Sequence, residues 1–403
     1  MTASNAPIAP LAGVRVLDLS RVLAGPYCTQ VLADLGAEVW KVEPPTGDDT
    51  RSWGPPFVGT DAAYFLSANR GKRSIAVDLK RPEGAALMAD LAAQADVVVE
   101  NFKVGDLARY GLAYEDVRER NPGVVYVSIT GYGQTGPRAA EPGYDLVMQA
   151  MTGLLAMTGP ADGEPARVGV ALIDVLTGMH AATATLAALR QRDETGEGAH
   201  VDLALFDVGL ASMVNVGQAA LVTGDSPQRR GSAHPSIVPY QAFPTTDGAL
   251  VVAVGNDAQF ARLCEVLDEP DLATDPRFVT NPDRVTNRDE LVPMLAARFA
   301  DHPTTTLVDD LAAASVPAAP VQDVATALDD PQTHHRDMRW TVDTATGSVD
   351  LLGNPIGPVA GAARDHAPPR LGQHTRAVLT DALGLSPDEV QRLVADGVVL
   401  DEG

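Results

Sequence analysis

The sequence predicts an α/β protein: a Rossmann-like large domain built on a parallel sheet, with a smaller α/β domain. Three observations predict it. Continuous β-branched runs recur between residues 13 and 133, stretches with helical spacing separate them, and a polar, turn-rich stretch at 223–235, "TGDSPQRRGSAHP", marks a boundary. Strands that stay apolar without alternation belong to a parallel sheet covered on both faces.

Each element has its own signal. "GVRVLDLS" (13–20) reads as a buried strand, and "AGPYCTQVLADLG" (24–36) as a helix stopped at Gly36. "AEVWKVEPP" is a second strand, ended by Pro44 and Pro45. "RPEGAALMADLAAQA" (81–95) is a helix with Pro82 near its start, where a missing N–H costs nothing. "DVVVENF" (96–102) and "GVVYVSITGYG" (123–133) are further strands, and "LARYGLAYEDVRERNP" between them is mostly helical. Residues 171–192 read as one helix with Asp174 at its start and Arg190 and Arg192 at its end. "HVDLALFDVGLASMVNVGQAAL" has mixed character. After the boundary, a smaller α/β segment runs to about 325, with "GALVVAVG" as a strand and "DAQFARLCEVL" as a helix. The chain closes on an amphipathic helix, "SPDEVQRLVADGVV".

Composition excludes whole classes. The 403 residues carry a formal charge of −23, which argues against general nucleic-acid binding and against adhesion to anionic membranes. An anionic substrate must then be drawn in by a local basic patch. The two cysteines, Cys28 and Cys264, form no CxxC and imply no disulfide framework. "MTASNAPIAP" lacks the charged and apolar regions of a signal peptide, and no apolar run approaches the ~18 residues of a membrane span. A cytoplasmic protein is expected. The first strand–helix turn, "LSRVLAGPYCT", contains no GxGxxG, so no nicotinamide or flavin cofactor is indicated.

One charge stands out. In "GVALIDVLTG" (169–178), Asp174 interrupts an apolar stretch, and an ionised carboxylate is costly to bury without a partner. Two readings share the same position. Asp174 is a helix N-cap, worth ~1 kcal/mol, or it is a carboxylate kept ionised by a helix N-terminus and able to attack an activated acyl group. None of the eight histidines falls in a metal-ligand spacing, and His180 reads as a packed or rim residue. No GxSxG elbow occurs. Two compact basic groups lie beside Rossmann-type elements: Arg70, Lys72 and Arg73 in "NRGKRS", and Lys103 and Arg109 in "NFKVGDLAR". In so acidic a chain they point to a phosphate-bearing ligand. "RRGSAHP", with Gly231, Ser232 and Ala233, is either a linker or a small-residue loop that presents backbone N–H groups to a reacting carbonyl.

Taken together, "LAGVRVLDLSRVLAGPYCTQVLADLGAEVWKVEPP", "NRGKRSIAVDLKRPEG", "ADVVVENFKVGDLARYGL", "ITGYGQTGP", "PGYDLVMQAMTGL", "IDVLTGMHAATATLAAL" and "HPSIVPYQAFPTTDG" resemble, in order and over nearly the whole chain, the family III CoA-transferases. The resemblance implies a CoA-transferase whose catalytic aspartate is Asp174. It would form aspartyl–acyl anhydride and aspartyl-CoA thioester intermediates, with a coenzyme A thioester as substrate and no tightly bound cofactor or metal. It further implies CoA contacts at Val22, Leu23, Asn69, Lys72, Arg73, Asn101, Phe102 and Arg109, and substrate contacts at Tyr144, Asp145, Arg229, Gly231 and Ser232. Arg229, Arg230 and Arg167 are candidates to meet the second carboxylate of a dicarboxylic substrate. An interlocked homodimer acting on acyl-CoA and a carboxylic acid is implied, with 1–225 and 330–403 in the large domain and 226–329 in the small one.

Two alternatives stay open. Racemases related to this family place a histidine where "PGYDLV" has Tyr144. Tyrosine, with a pKa near ~10, is a poor base at neutral pH. A non-catalytic acyl-CoA-binding protein would have no need of Asp174.

Overall fold

The computed structural model describes residues 8–344 and 347–402. It contains two compact units, one of residues 8–154, 168–223 and 331–402, the other of 155–167 and 224–330.

The first unit is built on six parallel strands: β1 (Arg15–Asp18), β2 (Glu38–Glu43), β3 (Lys72–Val77), β4 (Val97–Glu100), β5 (Val125–Thr130) and β6 (Ala199–Ala204). Their spatial order is 3-2-1-4-5-6, with the short strand Val399–Leu400 added antiparallel outside β3. Because successive strand residues face opposite ways, Val16, Val97 and Val99 enter one core and Leu17 and Val98 the other. The first core is closed by helices α1 (Ala24–Asp34) and α5 (Leu172–Thr195); α2 (Pro82–Ala92) and α3 (Tyr114–Arg120) close the second. Helix α4 (Asp145–Met151) precedes α5, and α6 (Leu205–Ala211) and α7 (Val214–Thr223) follow β6. This is the α/β architecture with a mostly parallel sheet that the sequence predicts.

Three local expectations change. The segment read as a basic turn, "NRGKRS", enters β3 at Lys72, so its side chains alternate across a strand instead of clustering at a loop tip. "LARYGLAYEDVRERNP" splits into a 3-10 turn, Asp106–Tyr110, and α3, separated by Gly111 with φ +65°. Contrary to the sequence reading, α5 is long and apolar enough by composition to cross a bilayer; here Ala181, Ala182, Ala188 and Leu189 bury one stripe of it in the first core.

The second unit carries a three-stranded antiparallel sheet, Tyr240–Pro244, Ala249–Ala253 and Ala318–Pro320. Its core stacks Phe243 on Phe299, 4.5 Å between ring centroids, and adds Phe260 and Phe278.

Candidate active site

In the 3-2-1-4-5-6 order the chain leaves β1 toward β2 on one side and crosses to β4 on the other. The loops beyond the carboxyl ends of β1 and β4 therefore diverge, which opens a crevice where ligands of such sheets bind. A cleft of about 230 Å³ lies there. Its walls are the turn after β1 (Arg21, Val22, Leu23), the loop after β4 (Asn101, Phe102, Lys103, Val104), the end of β5, residues 139–144, and Asp174.

Small residues bring these walls together. A Cβ on Gly178 of α5 would sit 2.7 Å from the carbonyl oxygen of Ala24, so α5 packs onto the start of α1 only because position 178 is glycine. A Cβ on Gly143 would stand 2.4 Å from the Cα of Gly131, which lets the 139–144 segment cross the end of β5 in contact.

Asp174 is the third residue of α5, whose N-cap is Ala171 without any side-chain cap bond. The N-cap reading of Asp174 is thus corrected: its carboxylate is left for the cleft. Asp145 supplies the cap from another helix. Its Oδ1 accepts the N–H of Ile173 at 2.8 Å and of Asp174 at 3.4 Å, and its Oδ2 accepts Nε2 of Gln149 at 2.6 Å. Gln149, fully buried, in turn accepts the N–H of Val168 at 3.0 Å. Burial and then the neighbouring charge of Asp145 push the Asp174 carboxyl up to about 7. Both effects oppose a second negative charge in a poorly hydrated place.

The turn after β1 is clamped. Asn101 accepts the N–H of Arg21 at 2.9 Å and donates to its carbonyl oxygen at 2.7 Å. Val22 lies at φ +71°, a left-handed conformation that is an outlier for a β-branched residue. Behind the turn, fully buried Asp18 accepts from Ser20, from Thr29 at 2.6 Å and from Lys72 at 3.0 Å. Burial disfavours the Asp18 charge, yet Lys72, Lys41 and these hydroxyls hold its pKa below the ordinary value. Among the described residues, no group of three or more His, Cys, Asp or Glu side chains is placed to hold a metal ion.

Comparison with known proteins places this geometry. The family model described as CoA-transferase family III matches residues 11–375. The chain belongs to CoA-transferase family III. It is 45% identical over 393 residues to the succinyl-CoA:glutarate CoA-transferase of Mus musculus, covering 97% of this chain and 90% of that one. It is also 45% identical to the succinate–glutarate CoA-transferase of Agrobacterium fabrum, covering 92% and 95%. A crystal structure of a CAIB/BAIF family protein from Brucella suis superposes with a TM-score of 0.84 at 44% identity, covering 93% of this chain and all of that one.

The structure of this CoA-transferase gathers some of the expected site residues and disperses others. Val22, Leu23, Asn101, Phe102, Tyr144 and Asp174 line one cleft. Asp145 stands behind it, buried and engaged by backbone, and is not open to substrate. Asn69 and Lys72 are buried too. Lys72 donates to Asp18, to Asn69 at 2.9 Å and to the Pro26 carbonyl at 2.8 Å, so all three ammonium protons are used inside the fold. Arg73 lies with Arg15 and Glu38 at the amino ends of the strands, opposite the cleft, and pairs with Glu38 and Asp381. Arg73 is the second residue of β3 and so lies at the strand's amino end, and alternation turns its side chain to the face opposite that of Lys72. Arg109 is exposed on the 3-10 turn, over the ring of Tyr110 and outside the cleft lining.

Arg229, Gly231 and Ser232 belong to the second unit. The Arg229 guanidinium donates to the carbonyls of Ala156 and Gly163, Gly231 has φ +60°, and Ser232 Oγ accepts the N–H of Ala242. Lys103, read in the sequence as part of a basic group, lines the cleft, as do Arg21 and Glu141, which sequence reasoning missed. It also missed Tyr64, whose phenol is pushed up to about 12 by burial and by the charges of Asp174, Asp145 and Asp48. Arg21 and Lys103 sit inside quoted motifs; Tyr64 had no local signal.

Proposed function

We propose that this CoA-transferase moves CoA from a donor of the succinyl-CoA type to a dicarboxylic acid of the glutarate type, through covalent intermediates on Asp174. The observation that carries the reading is the placement of Asp174: a half-buried carboxylate with a pKa near 7, opening into the cleft at the sheet's switch point. The names of the relatives supply the substrate class.

The raised pKa serves the chemistry. A carboxylate of pKa about 7 is more basic, and so a stronger nucleophile, than an ordinary aspartate, while much of it remains ionised at neutral pH. One Asp174 oxygen attacks the thioester carbonyl, the C–S bond breaks, and CoA leaves as the thiolate, giving a mixed anhydride. The thiolate then attacks the aspartyl carbonyl, which expels the donor acid as its carboxylate and leaves an aspartyl-CoA thioester. The acceptor carboxylate attacks that thioester, which forms a second anhydride and frees the thiolate again. Attack of the thiolate on the acceptor acyl carbonyl yields the new acyl-CoA and restores Asp174. Each tetrahedral oxyanion needs donors. The N–H groups of Ala24 and Gly25, at the start of α1 in the cleft wall, have no intrahelical acceptor and carry the positive end of the helix dipole; Pro26 has no N–H, and that of Tyr27 is held by the Leu23 carbonyl. Tyr144 lies exposed on the cleft wall where a racemase would need its second base.

A homodimer belongs to the same reading. Val214, Leu221 and Val222 on α7 are 71%, 82% and 75% exposed, an apolar row that a second chain would cover.

Incubation with succinyl-CoA and a pool of carboxylic acids, followed by mass detection of new thioesters, tests the proposal. Wild type should make dicarboxylyl-CoA products, and Asp174→Ala should make none while still binding CoA. Turnover retained by Asp174→Ala would refute the covalent route.

A further inference from the structure

The turn that lines the cleft together with Asp174 is strained, and part of what fixes it lies outside the cleft. Val22 has φ +71°. Valine resists this conformation, which persists only where surrounding groups over-determine it. Three elements do so here. Asn101, beyond β4, brackets Arg21 through both backbone groups. Lys41, on β2, donates to the Ser20 carbonyl at 3.0 Å. Asp48, after β2, accepts the Val22 N–H at 3.4 Å through the same Oδ2 that pairs with Lys41 at 3.0 Å. Its other oxygen accepts the N–H and hydroxyl of Thr50. Both side chains of the pair are 0% exposed, and neither lines the cleft. A buried ion pair is poor value for stability, because a packed apolar pair does as well. A lysine and an aspartate that each hold a backbone group of one turn serve that turn's geometry.

We propose that Asp48 and Lys41 are positioning residues for acyl transfer: their ion pair holds Ser20 and Val22 so that the Val22–Leu23 turn and the start of α1 are set against the reacting carbonyl at Asp174. The inference rests on Asp174 as the acyl acceptor. Neither side chain touches substrate; both act through the backbone of residues 20–22. Misplacement of reacting groups by about 1 Å costs about a hundredfold in rate, so loosening the turn slows the chemical step and leaves ground-state binding of CoA largely alone.

The test measures the first half-reaction by itself, as the rate of succinate release from succinyl-CoA in a single turnover of the whole enzyme without acceptor acid, and separately the affinity for free CoA by calorimetry. Asp48→Asn and Lys41→Met should each slow the release by about thirtyfold or more, while CoA affinity stays within about threefold. Equal loss in both readouts, or loss in neither, overturns the proposal. Failure of the underlying assignment looks different: wild type itself would then release no succinate in the burst. Should the charge variants not fold, position 22 carries the test. Glycine takes the left-handed conformation freely and unlocks the turn, whereas alanine trims the side chain but keeps the constraint. Val22→Gly should therefore release succinate much more slowly than Val22→Ala, with thermal stability no lower than that of Val22→Ala. Equal rates for the two would refute the clamp.

Discussion

Asp174 illustrates how a single residue's environment sets its chemistry. The sequence displays the charge in an apolar run, but its pKa is decided by burial and by Asp145, which arrives from 29 residues earlier in the chain. Two outcomes are expected. The burst of succinate release from succinyl-CoA should rise with pH on an apparent pKa of about 7, because the carboxylate is the attacking form; a pH–rate profile from 5 to 9 checks it. Stability should run the other way. A carboxyl whose pKa is 3.8 unfolded and about 7 folded binds more protons in the native state between those values. Its contribution is complete below the lower value and is lost as the pH rises through the higher one. Asp174→Asn, which cannot ionise, should accordingly be more stable than wild type by on the order of 2 kcal/mol at pH 8, with the gain vanishing near pH 4. Urea midpoints at the two pH values measure it. Lys72 gives the opposite lesson. In sequence it reads as a phosphate ligand, yet it is buried against Asp18. Lys72→Met should lower stability by roughly 3–5 kcal/mol, because it strands the Asp18 carboxylate, whereas loss of a phosphate contact would leave the urea midpoint unmoved.

At the scale of elements, α5 was legible almost to its ends from apolar spacing, and so were β1, β2, β4 and β5 from their β-branched runs. What capped α5 was not legible. A helix whose own N-cap is Ala171 must satisfy its first N–H groups elsewhere, and the acceptor, on α4, has no sequence relation to it. Asp145→Asn keeps an acceptor at that position and removes the charge. The apparent pKa of the succinate-release burst should therefore fall below 7. The amide nitrogen then meets the Nε2 donor of Gln149, so the melting temperature should drop while a single cooperative melt is kept; a pH profile and a thermal melt on one preparation distinguish this from collapse of the site. Strand β3 was missed because Asn69, Arg70, Gly71, Lys72 and Arg73 look like a polar turn. Their burial depends on Asp18, Asp34 and Glu38, supplied by other elements.

At the scale of the whole molecule, strand order creates the cleft. The crevice lies where the connection from β1 reverses direction, and the walls come from six separated stretches between residues 21 and 205. The exposed apolar row on α7 makes the oligomeric state testable: light scattering behind size exclusion should return twice the chain mass. Leu221→Glu with Val222→Glu should return the single mass, since two like charges in each copy's contact are costly to desolvate. A monomeric wild type would remove the homodimer from the proposal.

By itself, the sequence determined the α/β class, the parallel core, strands β1, β2, β4 and β5 in their order, and the motifs that resemble family III, with Asp174 among them. These follow from periodicity, turn chemistry and local composition, all of which are properties of neighbouring residues. Tertiary structure alone decided which charged residues are free to act. It buried Lys72 and Asn69, sent Arg73 to the far end of the sheet, turned Asp145 into a cap, and brought Arg21 and Lys103 to the cleft. A lysine or aspartate carries no local mark of whether a partner waits for it in the fold. That depends on strand order, on which face a side chain takes, and on residues such as Asp18, Asp48 and Asp145 that meet their partners only when distant elements pack.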